Sequence, residues 1–225
     1  IAGCFAVGLA NGAFWGIGPV FAQDQGFDTT QIGLFMSAVV VGGAIAQYPL
    51  GLLSDRIDRR KVIVIAAVVA LAAAIGMRMS ITSVFEQYLL VGAIFGAGAF
   101  PLYALTIAHA NDHADQSDFV ETSCGLLLVF GAGAALGPLI ASALGQVSSG
   151  FNLFTYTAAI HSFLICFVMW RMSQTARPLE EERIDFSEAL IATETVLPYD
   201  PEEVDEASTT ALPCVSAHDK DFAPA

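Results

Sequence analysis

Eleven residues, Gly51-Leu-Leu-Ser-Asp-Arg-Ile-Asp-Arg-Arg-Lys61, hold four of the chain's nine lysines and arginines: Arg56, Arg59, Arg60 and Lys61. Asp55 and Asp58 lie among them. The flanks on both sides are long apolar runs. A charge cluster this dense between such runs reads as a membrane-protein loop on the positive, cytoplasmic side, where it also contacts anionic lipid headgroups. The remaining chemistry-bearing residues are sparse. His109, Asp112 and His113 have the residue types of a metal or catalytic site, but no nucleophile motif accompanies them. A capped helix end followed by a solvated loop accounts for them. Cys4, Cys124, Cys166 and Cys214 form no CxxC or Cys/His spacing and read as small buried hydrophobes rather than disulfide or metal ligands. No cofactor and no metal is expected.

The elements that must position these residues are membrane spans. Of 225 residues, 55% are hydrophobic and 14% charged, with a mean hydropathy of +0.63; soluble domains carry about 25% charged residues. Six segments reach the roughly 20 apolar residues that a bilayer-crossing helix needs, at about 1–22, 30–53, 62–79, 84–108, 120–146 and 151–172. Short connections make sequential spans antiparallel, and only an all-helical bundle leaves no backbone group unpaired in lipid. With 54–61 in the cytoplasm, eight of the nine bases fall on that side and only Arg78 falls outside. The net charge of −13 belongs mostly to residues 173–225, which hold thirteen of the 22 acids and read as an acidic, mostly disordered cytoplasmic tail. Within it, Leu179–Ala192 is weakly amphipathic. A basic nucleic-acid footprint is absent, so no nucleic-acid partner is expected. Ile1 already lies inside an apolar run without a signal-peptide layout, and the chain is expected to be a fragment that lacks an N-terminal portion.

Small residues recur four apart: Gly8, Gly12 and Gly16 in the first span; Ala38, Gly42 and Ala46 in the second; Gly92 and Gly96 in the fourth; Gly133, Gly137, Ala141 and Gly145 in the fifth. This spacing stacks them on one helical face and lets backbones approach closely in lipid. Spans three and six lack such a stripe and are expected to be peripheral and lipid-facing. Pro101, after Phe100, and Pro138, after Gly137, are expected to break the fourth and fifth spans, because proline removes a backbone hydrogen bond. In transporters, interrupted helices mark places that bend or line a cavity.

The run Gly51-x-Leu53-Ser54-Asp55-Arg56-x-x-Arg59-Arg60 resembles the loop 2–3 signature of the major facilitator superfamily (MFS), which recurs in weaker form between helices 8 and 9. Gly131-x-x-x-x-x-Gly137-Pro138 is similar to the family's glycine-proline motif. Asp58 departs from the pattern, which usually has glycine there. Gly16-Ile-Gly-Pro-Val-Phe-Ala-Gln23, Phe100-Pro-Leu-Tyr-Ala-Leu105 and Ala108-His-Ala-Asn-Asp112 resemble the C-terminal half of the YcaD-like branch of bacterial inner-membrane transporters. The resemblance covers roughly residues 1–172. It implies an all-α membrane protein, a six-transmembrane-helix half of an MFS bundle whose partner is the missing N-terminal half of the same protein. It implies alternating access, with two halves rocking about a central site. It also implies gate elements. Gly51 and Asp55 end the second span, with Asp55 approaching a neighbouring helix N-terminus, where the dipole favours an anion. Arg56, Arg59 and Arg60 face the acids Asp112, Asp115, Asp118 and Glu121.

Polar groups buried at mid-membrane are expensive and therefore suspect. Asn11 and Trp15, Gln47 with Tyr48, and Tyr103 and Thr106 are the candidates for a substrate cavity. Interhelical hydrogen bonding explains buried amides and hydroxyls equally well, and both readings stand. No Asp, Glu, Lys or Arg lies in the centre of any span. His161 is the one mid-span ionisable group and is read as structural. If a proton couples transport, its acid is expected in the missing half. The leading function is a secondary transporter of a small-molecule substrate in the bacterial inner membrane; the alternative is an MFS-fold sensor or scaffold without transport. An intramembrane enzyme is not expected, because no catalytic pair, nucleophile or metal cluster appears.

Overall fold

The computed structural model describes residues 1–79, 84–112, 119–147 and 152–174. The acidic tail after 174, including Leu179–Ala192, lies outside the described residues, as do His113, Asp115 and Asp118. Seven helices follow one another: α1 (Ala2–Asp24), α2 (Thr29–Arg56), α3 (Arg59–Arg78), α4 (Phe85–Ala99), α5 (Pro101–Asn111), α6 (Phe119–Val147) and α7 (Leu153–Gln174). No strand occurs among the described residues. Helices α4 and α5 form one span, so six stretches are long and apolar enough to cross a bilayer.

Local chemistry sets the helix ends. Asp28 caps α2 in a capping box with Gln31, each side chain bonded to the other's backbone N–H. The tight return from α2 to α3 is made at Ile57 and Asp58, both with negative φ. Asp58 has φ −59°, so the turn has no need of glycine, and its carboxylate accepts from the Arg60 N–H at 3.0 Å as the cap of α3. The departure from the family pattern at this position therefore gives a helix cap in place of a flexible turn.

The glycine stripes hold two helix pairs together. Gly8 and Gly12 lie against the backbone of Phe130 and Ala134 on α6, and Gly133 and Gly137 lie against the backbone of α1 at Phe5–Ala13. Gly42 meets the backbone of Ala93, and Gly96 that of Val39, so α2 and α4 seat on each other in the same manner. The first span pairs with the fifth and the second with the fourth. These two pairs exchange if spans one to three are matched to spans four to six, as in transporters built from internal repeats.

Spans three and six do not sit apart from this packing. Helices α3 and α7 pack on each other, and α3 also packs on α4 and α7 on α1. Half of the most apolar stretch of α3 is buried, against 17% for α2 and 22% for α6. The reason is an alanine face. Ala66, Ala67, Ala70, Ala73 and Ala74 are buried, and Gly98 of α4 lies against the backbone of Ala66 and Ala70. A surface of alanine, whose side chain ends at Cβ, permits the same close approach as a glycine stripe. The helices left with broad uncovered apolar faces are α2 and α6, which expose Val41, Ile45 and Tyr48, and Leu127, Leu128 and Leu139.

The two expected breaks differ. Phe100 divides α4 from α5 with helical dihedrals of −74° and −39°, and Pro101 opens α5 as its first residue, where its missing N–H is least missed. At Gly137-Pro138 the helix is not broken: α6 runs through Pro138 without interruption. The Pro138 ring lies over Gly16 of α1, where an added Cβ would come within 2.8 Å of it. Neighbouring helices let such prolines stay inside membrane helices, and Pro19 and Pro49 do the same in α1 and α2.

Candidate functional site

Three helix ends converge on Arg59. The residue is the first of α3, and its side chain is 1% exposed. Its Nε lies 3.2 Å from Oδ2 of Asp112, whose side chain is 2% exposed, and its Nη2 donates to Oδ1 of Asp55 at 3.4 Å. Asp55 belongs to the last turn of α2, and Asp112 is the C-terminal cap of α5. An anion at a helix C-terminus opposes the helix dipole, so Asp112 depends on the guanidinium beside it. Ser54, fully buried, donates to the Gly51 carbonyl at 2.8 Å and shapes the last turns of α2. One buried cation thus ties α2, α3 and α5 at one end of the bundle.

The other members of the expected gate lie around it. Arg56 and Glu121 are exposed. Arg60 is buried and lines a neighbouring cleft. Asp55 sits one turn before the start of α3 and meets Arg59, on that helix's first residue. Sequence reasoning missed Asn111, which is buried beside Asp112 and donates from Nδ2 to Oγ of Ser123 at 3.2 Å. This bond links the end of α5 to the second turn of α6. The signal was available in the run Ala108–Asp112, where an amide precedes the aspartate.

The cavity candidates divide into groups. Asn11 and Trp15 lie one turn apart on α1 and share a face. Trp15 is 54% exposed and stacks on Phe100, with centroids 5.8 Å apart and planes 19° apart. Phe14 and Phe95 extend this aromatic wall inward. Asn11 is buried, and among the described residues its amide makes no hydrogen bond to another helix. Gln47 is half-buried on α2 and Tyr48 is 74% exposed. Tyr103 packs on Phe130 of α6 at 4.3 Å, away from Trp15. Thr106 also stands apart. Its hydroxyl donates to the Leu102 carbonyl at 2.6 Å, and it lines the cleft that holds Arg60. That i−4 bond satisfies the hydroxyl within its own helix.

His161 is buried in α7. Its Nδ1–H donates to the Thr157 carbonyl at 2.6 Å, and its ring sits edge-on to Phe95. A carbonyl can only accept, so the proton on Nδ1 is fixed by this contact. Among the described residues no group of three metal-ligating side chains occurs.

The family model described as Major Facilitator Superfamily matches residues 1–211. The chain belongs to the Major Facilitator Superfamily. It is 28% identical over 179 residues to the uncharacterized MFS-type transporter YcaD of Salmonella typhi, covering 79% of this chain and 45% of that protein. The YcaD of Salmonella newport matches to the same extent. This chain therefore spans about half the length of the curated relatives it matches. A solved structure of the proton:xylose symporter XylE, bound to 6-bromo-6-deoxy-D-glucose, superposes with a TM-score of 0.60 at 14% identity. It covers 92% of this chain and 50% of XylE, and the likeness concerns the fold. The chain is a multi-pass membrane protein with the fold of a six-helix half of an MFS transporter. Members of this family are transporters, not enzymes.

Proposed function

We propose that this chain is the C-terminal half of a secondary transporter that moves a small solute across the bacterial inner membrane by alternating access. The observation that carries the reading is the buried Arg59, bound to Asp55 and Asp112 across three helix ends. A buried ion pair is poor evidence of stability, because its desolvation offsets its attraction. It is well suited to a latch, since breaking it while the end opens to water returns both partners to solvent. The base-rich return 54–61 supports a cytoplasmic position for this end under the positive-inside rule, and for the tail with it. The uncovered faces of α2 and α6 are the surfaces on which the other half would slide.

The cargo site belongs to the face of α1 that carries Asn11 and Trp15, opposite the α4–α5 junction at Phe100. An amide beside an aromatic wall, with no mid-span Asp, Glu, Lys or Arg among the described residues, suits a neutral or weakly polar solute. XylE is a proton:xylose symporter, which supports a small-molecule substrate and a coupling proton. The proton-carrying acid would then lie on the half that this chain does not cover.

The test is uptake by the full-length protein in proteoliposomes, with and without a proton gradient, over a panel of neutral solutes. Once a solute is transported, Trp15→Ala is expected to raise its KM about tenfold with kcat little changed, the effect of losing an aromatic face that contributes about 1–1.5 kcal/mol. An unchanged KM would remove Trp15 from the cargo site. No uptake of any solute under any gradient would contradict the transporter reading.

A further inference from the structure

The Trp15 ring ends an aromatic stack that begins in the core. Phe100 lies almost parallel to it, with planes 19° apart, and Phe14 meets both rings steeply, at 72° and 70°. Phe14 is fully buried and tilts onto Phe95, which anchors the stack. Helix α2 backs Phe100. A Cβ at Gly43 would come within 2.7 Å of Phe100 Cδ2 and 2.9 Å of its Cβ, so the ring fills the space that a side chain at Gly43 would need. Phe100 is also the junction between α4 and α5, held by a helix end on each side. Trp15 stays 54% exposed although Phe100 and Phe14 both lie on it, which leaves room for a third ring on the indole face opposite Phe100. One turn along the same face, Asn11 is only 9% exposed, and among the described residues its amide has no hydrogen-bond partner.

An open aromatic face beside an unpaired amide fits a flat ring whose edge carries a donor next to an acceptor. Offset stacking extends readily to a further ring. An amide presents N–H and C=O in one plane, the pattern that pairs with such an edge. A polyol fits less well, because each hydroxyl taken out of water needs a partner of its own, and the wall around Asn11 is aromatic. We propose that the cargo is a neutral solute built on a flat, unsaturated ring with a carboxamide or lactam edge. The ring stacks on Trp15 and the edge pairs with Asn11. Phe100, seated on Gly43, is the positioning residue that sets the plane of Trp15. The assignment rests on the cargo face proposed above and adds to it a class of solute and a role for Phe100 and Gly43.

The experiment is equilibrium dialysis of benzamide, cyclohexanecarboxamide and D-xylose against detergent-solubilised full-length protein, with protein-free micelles as the blank. The two amides share one edge and differ in whether the ring is flat. Benzamide is expected to bind about tenfold tighter than cyclohexanecarboxamide, the effect of one good aromatic pair, and xylose to bind weakest. Phe100→Leu is expected to cut that preference to about twofold, and Phe100→Tyr to keep it. Gly43→Ala, whose added Cβ meets Phe100 atoms first, should cut it as well. A merely structural loss would weaken both amides alike and leave their ratio unchanged. No binding of benzamide, equal binding of the two amides, or tighter binding of xylose would overturn the proposal. An unchanged ratio in both Phe100→Leu and Gly43→Ala would overturn the role given to Phe100. Binding is read without a gradient, so a protein that transports solutes of another kind would keep the transporter reading and lose only this one.

Discussion

Replacing Arg59 by alanine is expected to lower transport by at least tenfold and to destabilise the folded protein by about 3–5 kcal/mol, the usual effect of stripping one partner from a buried pair. The residue left behind explains the size. Asp112 is almost fully buried and caps the C-terminus of α5, where the dipole already disfavours an anion. Without the guanidinium it must take up a proton or pull the end of α5 toward water. A loss of transport in this variant alone would not separate a broken gate from a broken fold. The double variant Arg59→Ala with Asp112→Asn does so, because it removes both charges. Its denaturation midpoint should return most of the way to that of the parent, while transport stays low. Asp55→Asn should be milder than either, since Asp55 is 29% exposed and water replaces part of what it loses. Recovery of transport together with stability in the double variant would show that the pair serves folding only.

The second large effect belongs to the glycine seats. Gly12→Ala would put a methyl group inside the van der Waals surface of the Ala134 backbone, and Gly42→Ala would do the same at Ala93. The neighbour in each case is main chain, which cannot rotate aside as a side chain can. The helices must separate, and each variant is expected to lose about 3 kcal/mol in an unfolding titration, at the upper end of the usual range for overpacking. Gly33→Ala supplies the comparison: it lies on α2 with nothing within 4 Å of an added Cβ, and its stability should stay within about 0.5 kcal/mol of the parent. If Gly12→Ala and Gly33→Ala have the same midpoint, the close approach of α1 and α6 is not what holds the bundle.

Much of this arrangement was legible in the residues themselves. Six apolar runs, four stripes with a period of four and one dense basic return specify a helical membrane bundle, because lipid leaves the backbone few other solutions. What the stripes could not reveal was their partners. A face of glycines says that something approaches closely, and either the adjacent span or a distant one can supply it. The pairing of the first span with the fifth and the second with the fourth is a tertiary fact. The alanine face of α3 escaped notice for a related reason: alanine is common in any apolar helix, and its use as a seat shows only when Gly98 is laid against it. Proline gave half of its meaning. Pro101 opens a new helix, whereas Pro138 stays within one because Gly16 makes room for its ring.

At the site, the types were readable and the geometry was not. The basic return offered three arginines as partners for acids more than fifty residues away. The fold brings Arg59 to Asp112, gives Arg60 to the neighbouring cleft and leaves Arg56 exposed. Consecutive residues at the start of a helix point about 100° apart, so one register decides which arginine enters the network. Thr106 illustrates the same limit. It lies one turn beyond Leu102, and its hydroxyl turns back to that carbonyl instead of serving a central cavity.

The central claim is that the Arg59 network closes the cytoplasmic end. Gln47 lies on α2 about two turns deeper than Asp55 and is half-buried. In full-length protein with every native cysteine, Cys4, Cys124, Cys166 and Cys214 included, changed to serine, Gln47→Cys can be labelled by a membrane-impermeant maleimide applied from the cytoplasmic side. With Arg59 intact, labelling should be slow; adding Arg59→Ala with Asp112→Asn should speed it about tenfold, because the end then opens without leaving a buried charge. Equal labelling rates in the two proteins would contradict a latch at Arg59.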